Sequence, residues 1–165
     1  MAKATDLYLR DLFHHQWDEC QAATQYQGQG SNHEMAALLV TEVIQYSLNV
    51  AKKPVFLIAL DAQSAFDRCL RQILSTQLYK ANITGTALTF IDNRLANRAT
   101  VYQWEGKMMG PAHDDTGFEQ GGINSSDYYK LYNNEQLDNA QSSNLGIDIK
   151  SGIISAVGQA CCEHH

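Results

Sequence analysis

The chain has 165 residues, of which 44% are hydrophobic and 18% charged, with 12 basic and 18 acidic side chains and a formal net charge of −6. This apolar fraction excludes a disordered chain, and no apolar run reaches the ~20 residues of a membrane-spanning helix. The acidic balance argues against tight nucleic-acid binding by this chain alone, because phosphate contacts come from Lys and Arg. The N-terminal stretch MAKATDLYLRDLF lacks a secretory signal and the four cysteines form no disulfide framework, so we expect an intracellular protein.

The N-terminal third of the chain carries two helical patterns. Apolar side chains recur at loosely helical spacing over residues 5–25, and a stripe of the same period follows a loop rich in Gln and Gly. The second helix opens on SNHE, which fits a capping box: Ser31 would accept a hydrogen bond from the amide three residues on, and Glu34 would reach back. This helix should end before Pro54, which disfavours helical geometry in its predecessor.

An unbroken apolar run, VFLIAL, follows Pro54 and ends in Asp61. Its length, its β-branched members and its polar flanks predict a strand that is buried on both faces.

The rest of the chain mixes helical and strand patterns. Helices are predicted over 68–80, 84–97 and 124–140, a strand over 99–104 with a turn at 105–106, and a hairpin over 146–157. Strands that alternate with helices but end in an antiparallel pair indicate an α+β fold. We expect a split βαβ arrangement with an antiparallel or mixed sheet, helices on one face, and a sheet that is incomplete at the C-terminus.

Two carboxylates at the end of the apolar run are the first candidates for chemistry. Asp61 ends a stretch of pure hydrocarbon, where a carboxylate is costly unless it meets a cation or hydrogen-bond donors. Asp67 follows six residues later, after Phe66. The structural alternative is that one of these aspartates caps the helix that follows.

Three long blocks of this sequence resemble reverse transcriptases of animal non-LTR retrotransposons. FLIALDAQSAFD is similar to the first catalytic motif of these enzymes, and GFEQGGINSSDYYKLYNNEQL is similar to their second conserved block. FIDNRLANRATVYQWEGKMMGP between them and QGQGSNHEMAALLVTEVI upstream resemble the same group. The resemblance covers roughly residues 25–160. It implies a helical, fingers-side segment over 1–30, a palm with part of the fingers over 31–160, and an unrelated tail over 161–165.

The resemblance also implies roles for individual residues. Asp61 matches the first metal-binding carboxylate of a polymerase site, and the backbone carbonyl of Ala62 would be a further ligand for Mg²⁺ or Mn²⁺. Phe66 falls where the family carries an aromatic that collides with a ribose 2′ hydroxyl; the alternative is a core aromatic. Gln120 and Gly121 match the Gln-Gly pair near incoming nucleotide and template, where a glycine lets the backbone approach the substrate. The implied partners are an RNA template, a DNA primer and deoxynucleotides.

The C-terminus departs from the family pattern. After the apolar stretch IISAVGQA the family places two adjacent aspartates, but here the chain reads Cys161-Cys162-Glu163-His164-His165, with no trace of a thumb. Thiols are soft ligands that suit Mg²⁺ poorly. We therefore expect a chain that resembles an RNA-directed DNA polymerase and is catalytically inactive, with doubtful metal binding.

Two further functions stay open at the level of sequence. The chain could be a non-catalytic module that binds nucleic acid or protein. Alternatively, the tail carries ligand types for zinc in Cys161, Cys162 and the two terminal histidines, although adjacent ligands are unusual in structural zinc sites. An incomplete sheet would leave its last strand unprotected, which predicts self-association through that edge.

Overall fold

The computed structural model describes residues 2–20, 32–96, 98–119, 121–143, 146–149 and 152–155. The chain divides into two compact units. One comprises Met1–Cys20 and Ala62–Tyr132, and the second comprises Gln21–Asp61 and Asn133–His165. Within the described residues, no helix combines the length and the apolar character that crossing a membrane requires.

The first unit begins with helix α1, Ala2–Glu19, which confirms the helix predicted for this region and starts three residues earlier than expected. Leu9 and Trp17 are its most deeply buried apolar side chains. The indole of Trp17 meets the ring of Tyr128 edge-on, with centroids 5.9 Å apart. A large aromatic surface removed from water in this way anchors the helix to the unit.

Helix α2, His33–Tyr46, belongs to the second unit and has a different N-cap from the one predicted. Asn32 takes an extended conformation, and its side-chain Oδ1 accepts a hydrogen bond from the Met35 amide at 2.8 Å. The predicted cap, Ser31, lies outside the described residues. Asn caps a helix as well as Ser does, so the correction shifts the helix start by one residue.

A π-helical turn, Ser47–Ala51, continues α2 and ends as predicted before Pro54. Lys52 has a left-handed backbone with φ of 54°, and the Lys53 amide donates to the Ser47 carbonyl at 3.0 Å. The hydroxyl of Ser47 donates in turn to the Lys53 carbonyl at 3.1 Å. These bonds satisfy backbone groups that the end of a helix leaves open.

The buried strand predicted for residues 55–61 is wrong. Residues 52–62 have no regular secondary structure, and Phe56 and Leu60 keep 88% and 87% of their surface exposed. None of the described strands pairs with this segment. Burial of a strand on both faces depends on neighbours elsewhere in the chain, and the apolar run cannot supply them itself.

Helices α3, Arg71–Lys80, and α4, Gly85–Ala96, confirm the two helices predicted before the central strand. They form the core of the first unit together with α1 and the start of the last helix. The fully buried side chains there include Leu74, Leu78, Ile83, Ile91, Phe118 and Leu131. This cluster is the part of the fold in which apolar burial supplies most of the stabilisation.

A hairpin of two antiparallel strands follows α4. Strand β1, Ala99–Trp104, confirms the predicted strand, and after a turn at 105–106 it pairs with β2, Lys107–His113. Gly106 has φ of +76°, which is a conformation that a turn residue without a side chain adopts readily.

Helix α5, Ser125–Ser142, confirms the predicted helix with one buried side, and Tyr128, Leu131 and Leu137 are buried along it. Strands β3, Gly146–Ile149, and β4, Gly152–Ser155, form the predicted C-terminal hairpin. Helices and antiparallel strands together confirm the α+β class. The described strands form two separate two-stranded sheets, β1–β2 and β3–β4, where a single sheet was expected.

Candidate functional site

The carboxylate of Asp61 stands at the end of the exposed apolar segment and is itself exposed, as is Ala62. Neither Asp61 nor Asp67 caps the helix that follows. Helix α3 begins after Leu70, which is the N-cap residue and makes no side-chain capping bond. The alternative interpretation, that one of these two aspartates caps the following helix, is therefore wrong.

A tight turn over residues 63–68 carries the chain from Asp61 into α3. Ser64 has a positive φ of 53°, and its carbonyl accepts hydrogen bonds from the amides of Asp67 and Arg68, both at 3.1 Å. The turn directs Phe66 towards the core, where its ring lies 5.1 Å from that of Tyr129. Phe66 is half-buried, so part of the ring is packed and part stays accessible.

Backbone hydrogen bonds join this turn to the start of the second resembling block. The amide of Phe118 donates to the Phe66 carbonyl at 2.9 Å, and the amide of Gly117 donates to the Cys69 carbonyl at 2.8 Å. The Thr116 hydroxyl donates to the Asp67 carbonyl at 3.0 Å. Two segments about fifty residues apart in sequence are thereby held side by side within the first unit.

Gly117 makes this close approach possible. Its φ is +79°, and a Cβ atom on residue 117 would lie 2.7 Å from the Asp67 carbonyl oxygen and 2.8 Å from that of Phe66. Any side chain would push the two segments apart, because such distances lie well inside van der Waals contact. Sequence reasoning assigned close backbone approach to Gly121 and missed Gly117. The glycine at the head of the motif GFEQGG is the signal that pointed to it.

Gly121 has the same φ of +79° but no described atom within 4 Å of the position of a Cβ. Its conformation alone favours glycine there. The open space beside it leaves its backbone accessible just ahead of α5. Its neighbour in the predicted pair, Gln120, lies outside the described residues, as do Cys161 and Cys162.

Two arginine side chains donate hydrogen bonds to the backbone carbonyls at the start of the second block. Arg71 donates from Nε to the Gly117 carbonyl at 3.2 Å and from Nη2 to the Thr116 carbonyl at 2.9 Å, and Arg98 reaches the Gly117 carbonyl from Nη1 at 3.4 Å. Burial and the neighbouring Arg98 lower the pKa of Arg71, but a guanidinium stays charged in a protein. Nothing in the sequence pattern singled out either arginine.

A cavity of about 550 Å³ lies between α1, α4, β1 and the start of α5 in the first unit. Arg94 reaches both carboxylate oxygens of Asp6 at 2.7 and 2.8 Å, and the Asn124 amide donates to the Asp6 carbonyl at 3.0 Å. Burial raises the pKa of Asp6, although Arg94 acts in the opposite direction. The ion pair and the Asn124 bond connect α1 with α4 and with the start of α5, so we interpret this cavity wall chiefly as a contact between the three helices, in which the buried Asn124 Oδ1 has no hydrogen-bond partner among the described residues.

Among the described residues, no three His, Cys, Asp or Glu side chains lie close enough together to hold a metal ion. Asp61 therefore belongs to no such group within that part of the chain. Two Mg²⁺ ions need several hard oxygen ligands in near-octahedral geometry, which one carboxylate and one carbonyl do not supply. Such a ligand set is not found among the described residues, and positions 161 and 162, where the resemblance implies the other carboxylates, lie outside them.

Comparisons of the whole chain with protein-family models, with curated proteins and with solved structures yield no match.

Proposed function

We propose that this chain derives from the fingers and palm of a non-LTR reverse transcriptase, an RNA-directed DNA polymerase that uses an RNA template, a DNA primer and deoxynucleotides. We also propose that this chain by itself does not extend a DNA primer. The proposal depends on the order and spacing of the three resembling blocks. One structural observation supports it most: the turn that follows Asp61 is hydrogen-bonded to the segment that leads into Gly121.

The contact between these blocks is the arrangement that a nucleotide site of this kind would need. The resemblance implies that Phe66 and the pair Gln120-Gly121 lie near the incoming nucleotide, so their two blocks should lie together. Here Gly117 and Phe118 bond to the turn at Phe66 and Cys69 within the first unit. This contact is what the resemblance leads us to expect, and it supports the proposal.

The half-buried ring of Phe66 is also consistent with this proposal. The ring centroid lies 5.1 Å from that of Tyr129, and the residue packs against the core while it stays partly exposed. A fixed and partly accessible aromatic is suited to exclude a ribose 2′ hydroxyl by steric contact. Both readings of the sequence, core aromatic and sugar discriminator, are compatible with this placement.

The proposed lack of activity depends on the ligands that the chain supplies. Cys161 and Cys162 stand where the resembling family has two adjacent aspartates, which leaves Asp61 as the remaining carboxylate of the set. Loss of ~5 kcal/mol of transition-state stabilisation lowers a rate by about four orders of magnitude. We therefore expect no primer extension by this chain.

Primer extension tests the proposed lack of activity directly. The full chain is incubated with an RNA template, a DNA primer and deoxynucleotides in Mg²⁺ or Mn²⁺, beside the variant Asp61→Ala. We expect no extension above background from either protein. Extension that survives Asp61→Ala would show that the carboxylate is not where the chemistry takes place.

Restoring the missing carboxylates tests the proposed origin. In the double variant Cys161→Asp/Cys162→Asp, we expect Mn²⁺ binding, measured by electron paramagnetic resonance, that the original chain lacks. Adding Asp61→Ala to this variant should abolish the gain, because all three carboxylates would share the ion. Mn²⁺ binding that Asp61→Ala leaves unchanged, or no gain at all, would contradict the proposal.

A further inference from the structure

The exposed apolar segment, residues 55–60, pairs with none of the described strands, and only Val55 in it is partly buried. Phe56, Leu57, Ile58 and Leu60 keep between 64% and 88% of their surface exposed. No described residue forms a hydrogen bond with the backbone of this segment. An uncharged run of six apolar residues, with open backbone groups and no internal proline, is of the kind that pairs with another strand.

The charges on either side of the segment indicate what it pairs with. Lys53 lies four residues before Leu57 and Asp61 lies four residues after it, and both side chains are exposed. If two copies pair antiparallel with Leu57 opposite Leu57, each Lys53 lies opposite the other copy's Asp61. A parallel pair would place Lys53 opposite Lys53 and Asp61 opposite Asp61, and like charges directly opposite each other are destabilising.

Pro54 is compatible with the same register. It would lie opposite Leu60, and because it has no amide hydrogen it fits a non-hydrogen-bonded position of an antiparallel ladder. Positions alternate along such a ladder, so Leu57 with Leu57 and Val55 with Ala59 would be the hydrogen-bonded pairs. The proline then ends the ladder of backbone bonds. The amide and carbonyl of Lys53 keep their bonds to Ser47, so Lys53 and Asp61 would meet through their side chains.

We propose that residues 55–60 pair antiparallel with the same segment of a second copy of this chain, with Leu57 on the two-fold axis. Lys53 and Asp61 lie at equal distances from Leu57 and carry opposite charges, so the segment is complementary in charge to an antiparallel copy of itself. Two six-residue strands bury less than the ~1,200 Å² of a standard interface, so the dimer is expected to form at micromolar rather than nanomolar concentration.

Analytical ultracentrifugation of the full chain without divalent ions, over roughly 1–200 µM, measures this association. We expect a reversible monomer–dimer equilibrium. The single variants Lys53→Asp and Asp61→Lys each place like charges opposite each other, and each should raise the dissociation constant about tenfold. An equimolar mixture of the two variants should restore dimers, because every 53–61 pair then joins opposite charges again.

Lys52→Asp is the matched control, since residue 52 lies opposite Ala62 in this register and should leave the dissociation constant near its original value. A chain that stays monomeric over the whole range, an association that the single charge reversals leave unchanged, or a mixture that fails to recover would each overturn the proposal. Circular dichroism confirms that each variant is folded. If the chain is monomeric and Phe56→Asp lowers its unfolding temperature, the segment is covered by its own chain, and the proposal is wrong.

Discussion

The backbone of Gly117 lies against that of Asp67 so closely that a Cβ on residue 117 would stand 2.7 Å from the Asp67 carbonyl oxygen and 2.8 Å from the Asp67 Cα. Both neighbours are backbone atoms, so they cannot move aside as the end of a flexible side chain would. The hydrogen bond from the Gly117 amide to the Cys69 carbonyl, 2.8 Å long, holds the two segments at this distance.

Gly117→Ala is therefore expected to destabilise the fold strongly. The left-handed φ costs an alanine about 1–2 kcal/mol, and the contact with Asp67 brings the total to about 3 kcal/mol or more. Gly121→Ala is the matched control, because residue 121 has the same φ of +79° but open space around it. It should cost only about 1–2 kcal/mol. Urea denaturation measures the free energy of unfolding of both variants. An equal decrease in the two would show that the close approach to Asp67 does not contribute to the cost.

Arg71 is predicted to hold the second block in place through its planar fork. Its Nε and Nη2 bond to two successive carbonyls, of Gly117 and Thr116. Arg71→Ala should lower the free energy of unfolding by about 2 kcal/mol, and Arg71→Lys should recover little of it, because one ammonium does not reproduce the fork. The exposed Arg68 is the control, and Arg68→Ala should change stability by less than about 0.5 kcal/mol. Full recovery in Arg71→Lys would contradict a role for the fork.

The helices could be predicted because their apolar residues recur in the sequence at helical spacing. Helices α3 and α5 follow that period, and each lies within a few residues of its predicted bounds. The exact start of α2 was harder to predict, because the neighbouring residues Ser31 and Asn32 are equally suited to cap a helix. A capping box names the residue types and leaves the position uncertain by one.

The segment 55–60 and the role of Gly117 could not be predicted for a different reason. An apolar run shows that a segment can be buried, but a partner elsewhere in the chain decides whether it is, and Phe56 remains 88% exposed. Likewise, a glycine in a motif shows that a side chain is excluded, but it does not show which distant backbone lies beside it. The contact of Gly117 with Asp67 depends on tertiary structure that no local pattern contains.

The buried thiol of Cys69 predicts how stability varies at alkaline pH. Its side chain is 2% exposed and donates to the Ala65 carbonyl, and burial raises the pKa of Cys69 from its ordinary value of 9.0 to about 12. Between these values the unfolded chain loses a proton that the folded chain keeps, so the free energy of unfolding falls as the pH rises above 9.

Between pH 8 and 10.5 this difference should lower the stability of the original chain by about 2 kcal/mol relative to Cys69→Ala, which has no thiol to ionise. Urea denaturation of both proteins across this range measures the difference. Comparing the two proteins removes the contribution of other groups that titrate in the same range. Parallel pH curves would mean that the Cys69 thiol ionises equally well in the folded and unfolded chain.

We predict that a side-chain hydrogen bond of Asn32 stabilises the first turn of α2. Its Oδ1 accepts from the Met35 amide at 2.8 Å, which satisfies one of the donors that the first turn of a helix leaves open. Asn32→Ala should therefore cost about 1 kcal/mol, while Asn32→Asp keeps an acceptor at the same position and should cost little. Hydrogen exchange at the Met35 amide gives a local readout, with faster exchange in Asn32→Ala and near-original exchange in Asn32→Asp. Equal exchange in both variants would show that the helix begins independently of Asn32.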